Sequence, residues 1–132
     1  MKATAIIISA LAIVPGISAS AQTAAPAYYV EALFAVSTAE QLANFCPRVS
    51  MNLQASNEAS EARLARLSAD GIEGNAITEL TGVEAAVAEL QTQFVETYGL
   101  DDDPTEELLC NAALSEIART SAVGEYLMEV SQ

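Results

Sequence analysis

The chain has 132 residues, with 18 acidic side chains against five basic ones, no histidine and a formal charge of −13. A field of this sign repels nucleic acid and anionic lipid, so we expect neither as a partner, whereas it favours solubility and basic partners. The lack of histidine excludes Ser-His-Asp triads and Cys-His pairs. Most nucleophilic hydrolases are therefore excluded.

The first 21 residues have the pattern of an export signal. A positive start at Lys2 precedes an apolar run over residues 5–14, a Pro-Gly break and the small-x-small motif Ala19-Ser20-Ala21. We predict a signal peptide over residues 1–21, cleaved after Ala21, which delivers the protein to the periplasm. The apolar run is shorter than the ~20 residues that span a bilayer, so we expect no membrane insertion after cleavage. A buried helix over the same residues is the alternative.

Cleavage would change the composition of the chain. Residues 22–132 keep four arginines and all 18 acids, which gives a formal charge of −14, and they contain no lysine. Ser-Lys dyads and Schiff-base lysines are then excluded as well. This length fits a single helical domain with a modest core. Residues 22–27 are mostly small, and we expect them to be disordered.

Apolar residues then recur with helical spacing, and strand patterns are missing. Pro26 can open a first helix over Tyr28–Phe45, and Pro47 should end it. The apolar face of this helix carries Phe34, Thr38, Leu42 and Phe45. A second helix is predicted over Arg48–Ala69, with its stop at Asp70-Gly71.

The second half of the chain contains the clearest helical stripe. It consists of Val83, Val87, Leu90, Phe94 and Tyr98, and Gly99 is its natural stop. A fourth helix begins after Gly99, with Asp103 predicted as its N-cap, Pro104 at its first position and Glu106 completing a capping box. We expect this helix to continue to Met128, with one face formed by Cys110, Ala113, Leu114, Ile117, Ser121, Gly124 and Met128.

Cys46 and Cys110 are the only two cysteines, and each falls where its helix would turn a small residue toward the core. In an oxidising compartment this predicts one disulfide between the first and last helices. The bond would close a loop of about 65 residues and stabilise the fold by at most about 4 kcal/mol on the chain-entropy model. The sequence therefore predicts an all-α fold, a small bundle of about four helices joined by one disulfide.

No group of residues predicts a catalytic, cofactor or metal site. Two cysteines 64 positions apart do not match a zinc knuckle, and residues 70–81 lack three of the ligands that a calcium loop needs. The acids Asp101, Asp102 and Asp103 are best explained by their position before a helix, although calcium binding is an alternative. Arg66 is predicted to pair with Asp70, four residues later.

Residues around both cysteines also resemble a known family. The segments are Leu33-Phe34-Ala35-Val36, Glu40, Asn44, Cys46-Pro47 and Ser50, followed by Cys110, Glu116-Ile117-Ala118, Ser121, Gly124 and Leu127. In these positions the chain resembles a family of small exported bacterial proteins, domain of unknown function 5333. The resemblance implies a periplasmic helical domain with no assigned activity, and it carries over no functional residue.

Three functional hypotheses follow, and we expect no cofactor in the favoured one. That hypothesis is a non-enzymatic interaction or structural module that docks to a protein partner through a helix face. The second is an acid- or stress-responsive holdase-type chaperone, since protonation of 18 acids would take residues 22–132 from −14 toward +4. The third is a carboxylate-dependent enzyme or a calcium binder, which requires at least two acids converging in a pocket.

Overall fold

The computed structural model describes residues 22–131, so the predicted signal peptide and its cleavage site lie outside the described residues. Helices dominate this part of the chain. They are α1 (Ala27–Phe45), α2 (Leu53–Ala69), α3 (Asn75–Thr78), α4 (Val83–Tyr98), α5 (Glu106–Ala118) and α6 (Ala122–Glu125). Two short strands, β1 (Val49–Met51) and β2 (Leu127–Glu129), complete the fold. The predicted class, a small all-α bundle, is confirmed.

The first helix lies at the centre of the bundle, because α2, α4, α5 and α6 all contact it. Pro26 precedes it with φ −60° and ψ 145°, an extended conformation from which the helix can start. Its buried face is built largely from small residues, and α1 ends at Phe45, one position before Cys46. Five of its residues are buried: Val30, Ala35, Thr38, Ala39 and Leu42.

The disulfide between Cys46 and Cys110 is formed, with the two Cα atoms 5.1 Å apart. It joins the end of α1 to the second turn of α5, so the prediction of a bond between the first and last long helices is confirmed. Both cysteines belong to the hydrophobic core. The core around them consists mainly of Ala35, Ala39, Leu42, Val49, Leu100, Ala112, Ala113, Val123, Tyr126 and Leu127.

The prediction of a second helix starting at Arg48 is wrong. Residues Val49–Met51 form β1, which pairs antiparallel with β2 so that Ser50 faces Met128. The helix begins only after Asn52, whose side-chain oxygen accepts the Ala55 N–H at 3.1 Å. A three-residue strand carries no visible period, and its partner lies almost 80 residues away. The predicted stop is confirmed, since α2 ends at Ala69 and Gly71 has φ 78°.

The predicted extension of the fourth helix to Met128 is also wrong. The helix ends at Ala118, and Thr120 takes the left-handed φ of 50° that reverses the chain. The short helix α6 then folds back on α5, so that a Cβ added to Gly124 would overlap the Glu116 carbonyl oxygen. The small residues of the predicted stripe therefore do permit a close approach, but the approaching helix is the next segment of the same chain.

The third predicted helix matches α4 at both ends, and Gly99 stops it with φ 64°. The segment before α1, predicted to be disordered, lies against the turn that precedes α4. Ala24 forms a parallel bridge with Thr81, and the Thr81 N–H donates to the Thr23 carbonyl at 3.0 Å. Composition could not indicate a backbone partner so distant in sequence. No described helix is both long and apolar enough to cross a membrane.

Candidate functional site

A groove of about 550 Å³ lies between the C-terminal halves of α1 and α4 and the loop that joins α4 to α5. Most of its lining is apolar, and the polar part includes the side-chain amides of Gln41 and Gln91. This volume lies within the range of pockets that bind ligands or partner side chains. The apolar lining residues are Leu42, Phe45, Phe94, Val95, Leu100, Pro104 and Leu109.

Phe45 is the most unusual apolar residue of the groove, because 63% of it is exposed. Its sequence spacing places it on the core-facing stripe of the first helix, and that prediction is wrong. The next residue, Cys46, is fully buried and bonded to Cys110. Since successive side chains at a helix end point in different directions, burying Cys46 turns Phe45 outward. The disulfide therefore holds Phe45 at the mouth of the groove.

The polar rim of the groove is acidic. Asp102 and Asp103 line it, and both are exposed. Asp103 is not the N-cap of the following helix as predicted, because the Thr105 hydroxyl oxygen accepts the Leu108 N–H at 3.2 Å and takes that role. The two carboxylates are thus free of the capping function that the sequence suggested. They give the groove an apolar interior with a negative edge.

A second group of side chains surrounds Glu116 on α5, and only 4% of this residue is exposed. The Tyr98 hydroxyl donates to its Oε1, and the Ser121 hydroxyl donates to its Oε2. Arg119 forms an ion pair with it at 2.6 Å. Ser121 also accepts the Gly124 N–H at 3.0 Å, which caps α6. Tyr98, Glu116, Arg119 and Ser121 form the Glu116 cluster. It links the end of α4 to the turn between α5 and α6.

Tyr98 shows the electrostatic effect of that arrangement. Partial burial, and then the hydrogen bond to Glu116 and its negative charge, raise the pKa of Tyr98 to about 12. Its ring lies 4.9 Å from the ring of Phe94, centroid to centroid. Phe94 lines the groove and also a smaller cavity beside the Glu116 cluster. The cluster and the groove therefore share one aromatic side chain.

The chain matches a protein-family model over most of its length. A model described as a family of unknown function, DUF5333, covers residues 22–128. The chain belongs to the DUF5333 family. No curated protein and no solved structure matches it. Membership confirms the resemblance seen around the two cysteines. Because DUF5333 has no assigned activity, it assigns no role to the groove or to the Glu116 cluster.

One arginine of this DUF5333 member has a partner that differs from the predicted one. Arg66 was expected to pair with Asp70, but its guanidinium lies 3.8 Å from the ring centroid of Tyr28. The Tyr28 hydroxyl in turn donates to Asp70 at 2.7 Å, so the tyrosine stands between the two charges. Within residues 22–131, Arg119 and Glu116 form the one ion pair.

The remaining acids do not gather around a common point. Among the described residues no group of three or more cysteines, aspartates or glutamates could hold a metal ion. Pairs of acids do line two cavities, Asp102 with Asp103 in the groove and Glu31 with Glu89 beside the start of α1. These pairs lie at cavity edges exposed to solvent.

Sequence reasoning in this DUF5333 protein missed Glu116 as a buried group. One signal was available: Ala112, Ala113 and Glu116 share a face at spacings of three and four, so an acid stands on a core-facing stripe. An acid at such a position needs several partners, which the structure supplies. Those partners, Tyr98 and Ser121, come from other segments, and no local pattern indicates them.

Proposed function

We propose that this protein is an exported, non-enzymatic interaction module that binds a segment of a different protein in the groove between α1 and α4. The observation that carries the proposal is the exposed phenylalanine Phe45, held by the disulfide at the mouth of a largely apolar groove. Exposed apolar surface rimmed by polar groups is typical of interaction sites. Aromatic side chains in such positions contribute a large share of binding energy.

A second copy of the chain is a poor occupant for this groove. Each copy carries a formal charge of −14 over residues 22–132. Pairing two copies through the groove would also bring two Asp102 and Asp103 rims together. Like charges at close range disfavour such an interface. A different protein avoids both penalties.

Export and the lack of catalysis have independent support. The Cys46–Cys110 disulfide suits an oxidising compartment such as the periplasm, and the signal pattern over residues 1–21 points to the same place. Without its single lysine, Lys2, the chain has neither lysine nor histidine to act as a base. The groove offers only carboxylates, amides and one threonine as polar side chains.

The proposal is tested by capture from a periplasmic fraction of cells that express the chain. The bait carries its disulfide, and captured proteins are identified by mass spectrometry, purified and bound again. We expect Phe45→Ser and Val95→Ser each to weaken binding of the purified partner at least about tenfold. Leu64→Ser is the control, because Leu64 is 53% exposed on α2 and does not line the groove. Equal binding by all three variants would refute the proposal.

The Glu116 cluster favours a second candidate function, an acid-responsive holdase. The apolar stripe of α4 is only half-buried, and its last residue, Tyr98, is tied to Glu116. Loss of the negative charge on Glu116 would weaken its charge-assisted bonds to Arg119 and Ser121. Release of α4 would then expose Leu90 and Phe94 to unfolded clients.

This candidate makes a prediction at neutral pH, because Glu116→Gln removes the negative charge and keeps the size of the side chain. We expect the variant to bind an apolar dye more strongly at neutral pH than the parent protein, and the parent to do so in acid. Glu125→Gln, an exposed acid on α6, is the control. If the parent protein neither changes shape nor suppresses client aggregation in acid, the holdase function is wrong.

A further inference from the structure

We infer that the partner segment is a basic amphipathic helix, which places its apolar face in the groove and its lysines or arginines against the acidic loop between α4 and α5. This inference rests on the proposed function, because it specifies the chemistry of the occupant. It is carried by three observations: the secondary structure that borders the groove, the charges at its rim and the pairing of the chain's arginines.

The border of the groove favours a helix over an extended strand. Its lining residues come from α1, α4, the start of α5 and the connecting loop, and none comes from β1 or β2. An extended peptide that binds as an added β-strand needs an open strand edge for its backbone hydrogen bonds. A helix satisfies its own backbone and presents apolar side chains at spacings of three and four. The groove therefore suits a helix that inserts its apolar face.

The rim of the groove requires a positive partner. Five acids occupy the seven positions from 101 to 107, all of them exposed, and two of these, Asp102 and Asp103, line the groove itself. Among residues 22–131, no basic side chain lines the groove. These acids are not needed for capping α5, since Thr105 does that. Unneutralised carboxylates beside an apolar surface select cations and repel acidic segments.

The arginines of the chain do not neutralise this rim. In the part of the chain that the structure describes, the one ion pair joins Arg119 to Glu116. Arg66 stacks on Tyr28 near the opposite end of α1. The acidic loop is therefore available to basic groups of another molecule. Because the formal charge of residues 22–132 is −14, long-range attraction would also speed the encounter with a basic partner.

Two synthetic peptides of about 18 residues, long enough for five helical turns, test the inference. Both have leucines at helical spacing, and the remaining positions are mostly lysine in one peptide and mostly glutamate in the other. We expect the lysine peptide to bind the disulfide-bonded protein at least about tenfold more tightly at about 0.15 M ionic strength, where charges act only over about 8 Å. Its affinity should fall with added salt and with Phe45→Ser.

Charge-matched variants show which acidic residues attract the lysine peptide. The triple change Asp101→Asn, Asp102→Asn and Asp103→Asn should weaken binding of the lysine peptide about tenfold. The control removes the same net charge elsewhere, through Glu61→Gln, Glu79→Gln and Glu125→Gln, three exposed acids that do not line the groove. We expect this control to change the affinity less than about twofold.

Two results would overturn the inference. One is equal weakening by both triple variants, and the other is binding of the lysine peptide that Phe45→Ser leaves unchanged, because attraction to the whole acidic surface would then explain it. If a captured partner depends on Phe45 but not on the three aspartates, the proposed function stands and the basic helix is wrong. If Phe45→Ser weakens binding neither of the lysine peptide nor of a captured protein, the proposed function itself is wrong.

Discussion

The two sides of α1 are packed in different ways. On the side of α5 and α6 the contacts are made by buried alanines and by Gly124, which touches the backbone of α5 directly. On the side of α4 no residue of the facing helix is fully buried, and several cavities are lined by residues of both helices. The close packing on the first side fixes how α1, α5 and α6 lie against each other. The second leaves apolar surface exposed, and the proposed partner would bind there.

The difference follows from side-chain size. Ala35, Ala39, Ala112 and Ala113 let helix backbones approach closely, and each is at most 1% exposed. The stripe of α4 instead carries valine, leucine and aromatic side chains, and α1 is the main helix that this stripe packs against. Small residues thus give a dense interface, whereas large residues packed against only one helix remain half-buried. Four variants test whether the two sides differ in stability as they do in packing.

The largest effect is expected from Cys46→Ala with Cys110→Ala, which removes the bond between α1 and α5. The sequence separation of 64 predicts a loss of about 3 to 4 kcal/mol in the free energy of unfolding. Urea denaturation of the variant, and of the parent protein with and without reductant, measures it. A loss below about 1 kcal/mol would show that packing alone holds this side.

The next effect is expected from Gly124→Ala. The added methyl group would overlap the Glu116 carbonyl oxygen, so α6 would have to move away from α5. We expect a loss of about 2 to 3 kcal/mol in the free energy of unfolding. Gly99→Ala is the comparison, because its Cβ meets open space and only the left-handed φ of 64° opposes it, at about 1 kcal/mol. Equal losses of stability in Gly124→Ala and Gly99→Ala would mean that α6 does not pack tightly against α5 at Gly124.

Tyr98→Phe tests the link between the two sides. Loss of the hydroxyl removes one bond to Glu116, and we expect a destabilisation of about 1 kcal/mol at neutral pH. The folded pKa of Tyr98, about 12, exceeds the ordinary value of 10.0. Its contribution is therefore complete below pH 10 and is lost as the pH rises through about 12.

Absorbance titration of the tyrosines measures this prediction directly. The parent protein should show a late ionisation that Tyr98→Phe lacks. Tyr29→Phe is the control, since its hydroxyl has no hydrogen-bond partner among the described side chains and it should leave the late ionisation in place. Burial and the hydrogen bond to Asp70 also raise the pKa of Tyr28, so the comparison is made in a Tyr28→Phe background. A late ionisation that persists there after Tyr98→Phe would contradict the assignment.

The smallest effect is expected from Val87→Ala on α4, where the side chain is only half-buried. The matched change on the dense side is Val123→Ala, because Val123 is 2% exposed. We expect losses of about 0.5 kcal/mol for Val87→Ala and about 2 kcal/mol for Val123→Ala. Thermal or urea unfolding compares them under the same conditions. Similar losses would remove the distinction between the two sides of α1.

Local signals predicted the helices well where the deciding residue lies in the same segment. Pro47 after the first helix, Gly71 after the second and Gly99 after the third each mark an observed helix end. Predictions failed where contact with another segment decides the structure. β1 forms because β2 offers it backbone partners, and the last helix is cut at Ala118 because α6 folds back on it.

The candidate site was accessible to sequence reasoning only in part. The two cysteines predict the bond that holds Phe45 in place, but nothing local shows that Phe45 itself faces solvent. Asp103 was recognised and given the wrong role, because Thr105, another residue type favoured at N-caps, lies two residues later. Packing decides where the helix begins, and so it decides whether Asp103 or Thr105 caps it.

By itself the sequence determined the helical class, the cysteine pair and the acidic charge, because each depends on composition or on spacing along one segment. Tertiary structure decided which surface stays open. Whether Phe45 is covered, whether Asp102 and Asp103 border an apolar groove and whether Glu116 finds its partners all depend on segments that meet only in the folded chain. The reason is physical: burial and hydrogen bonding are properties of neighbours in space, and no spacing along the chain records them.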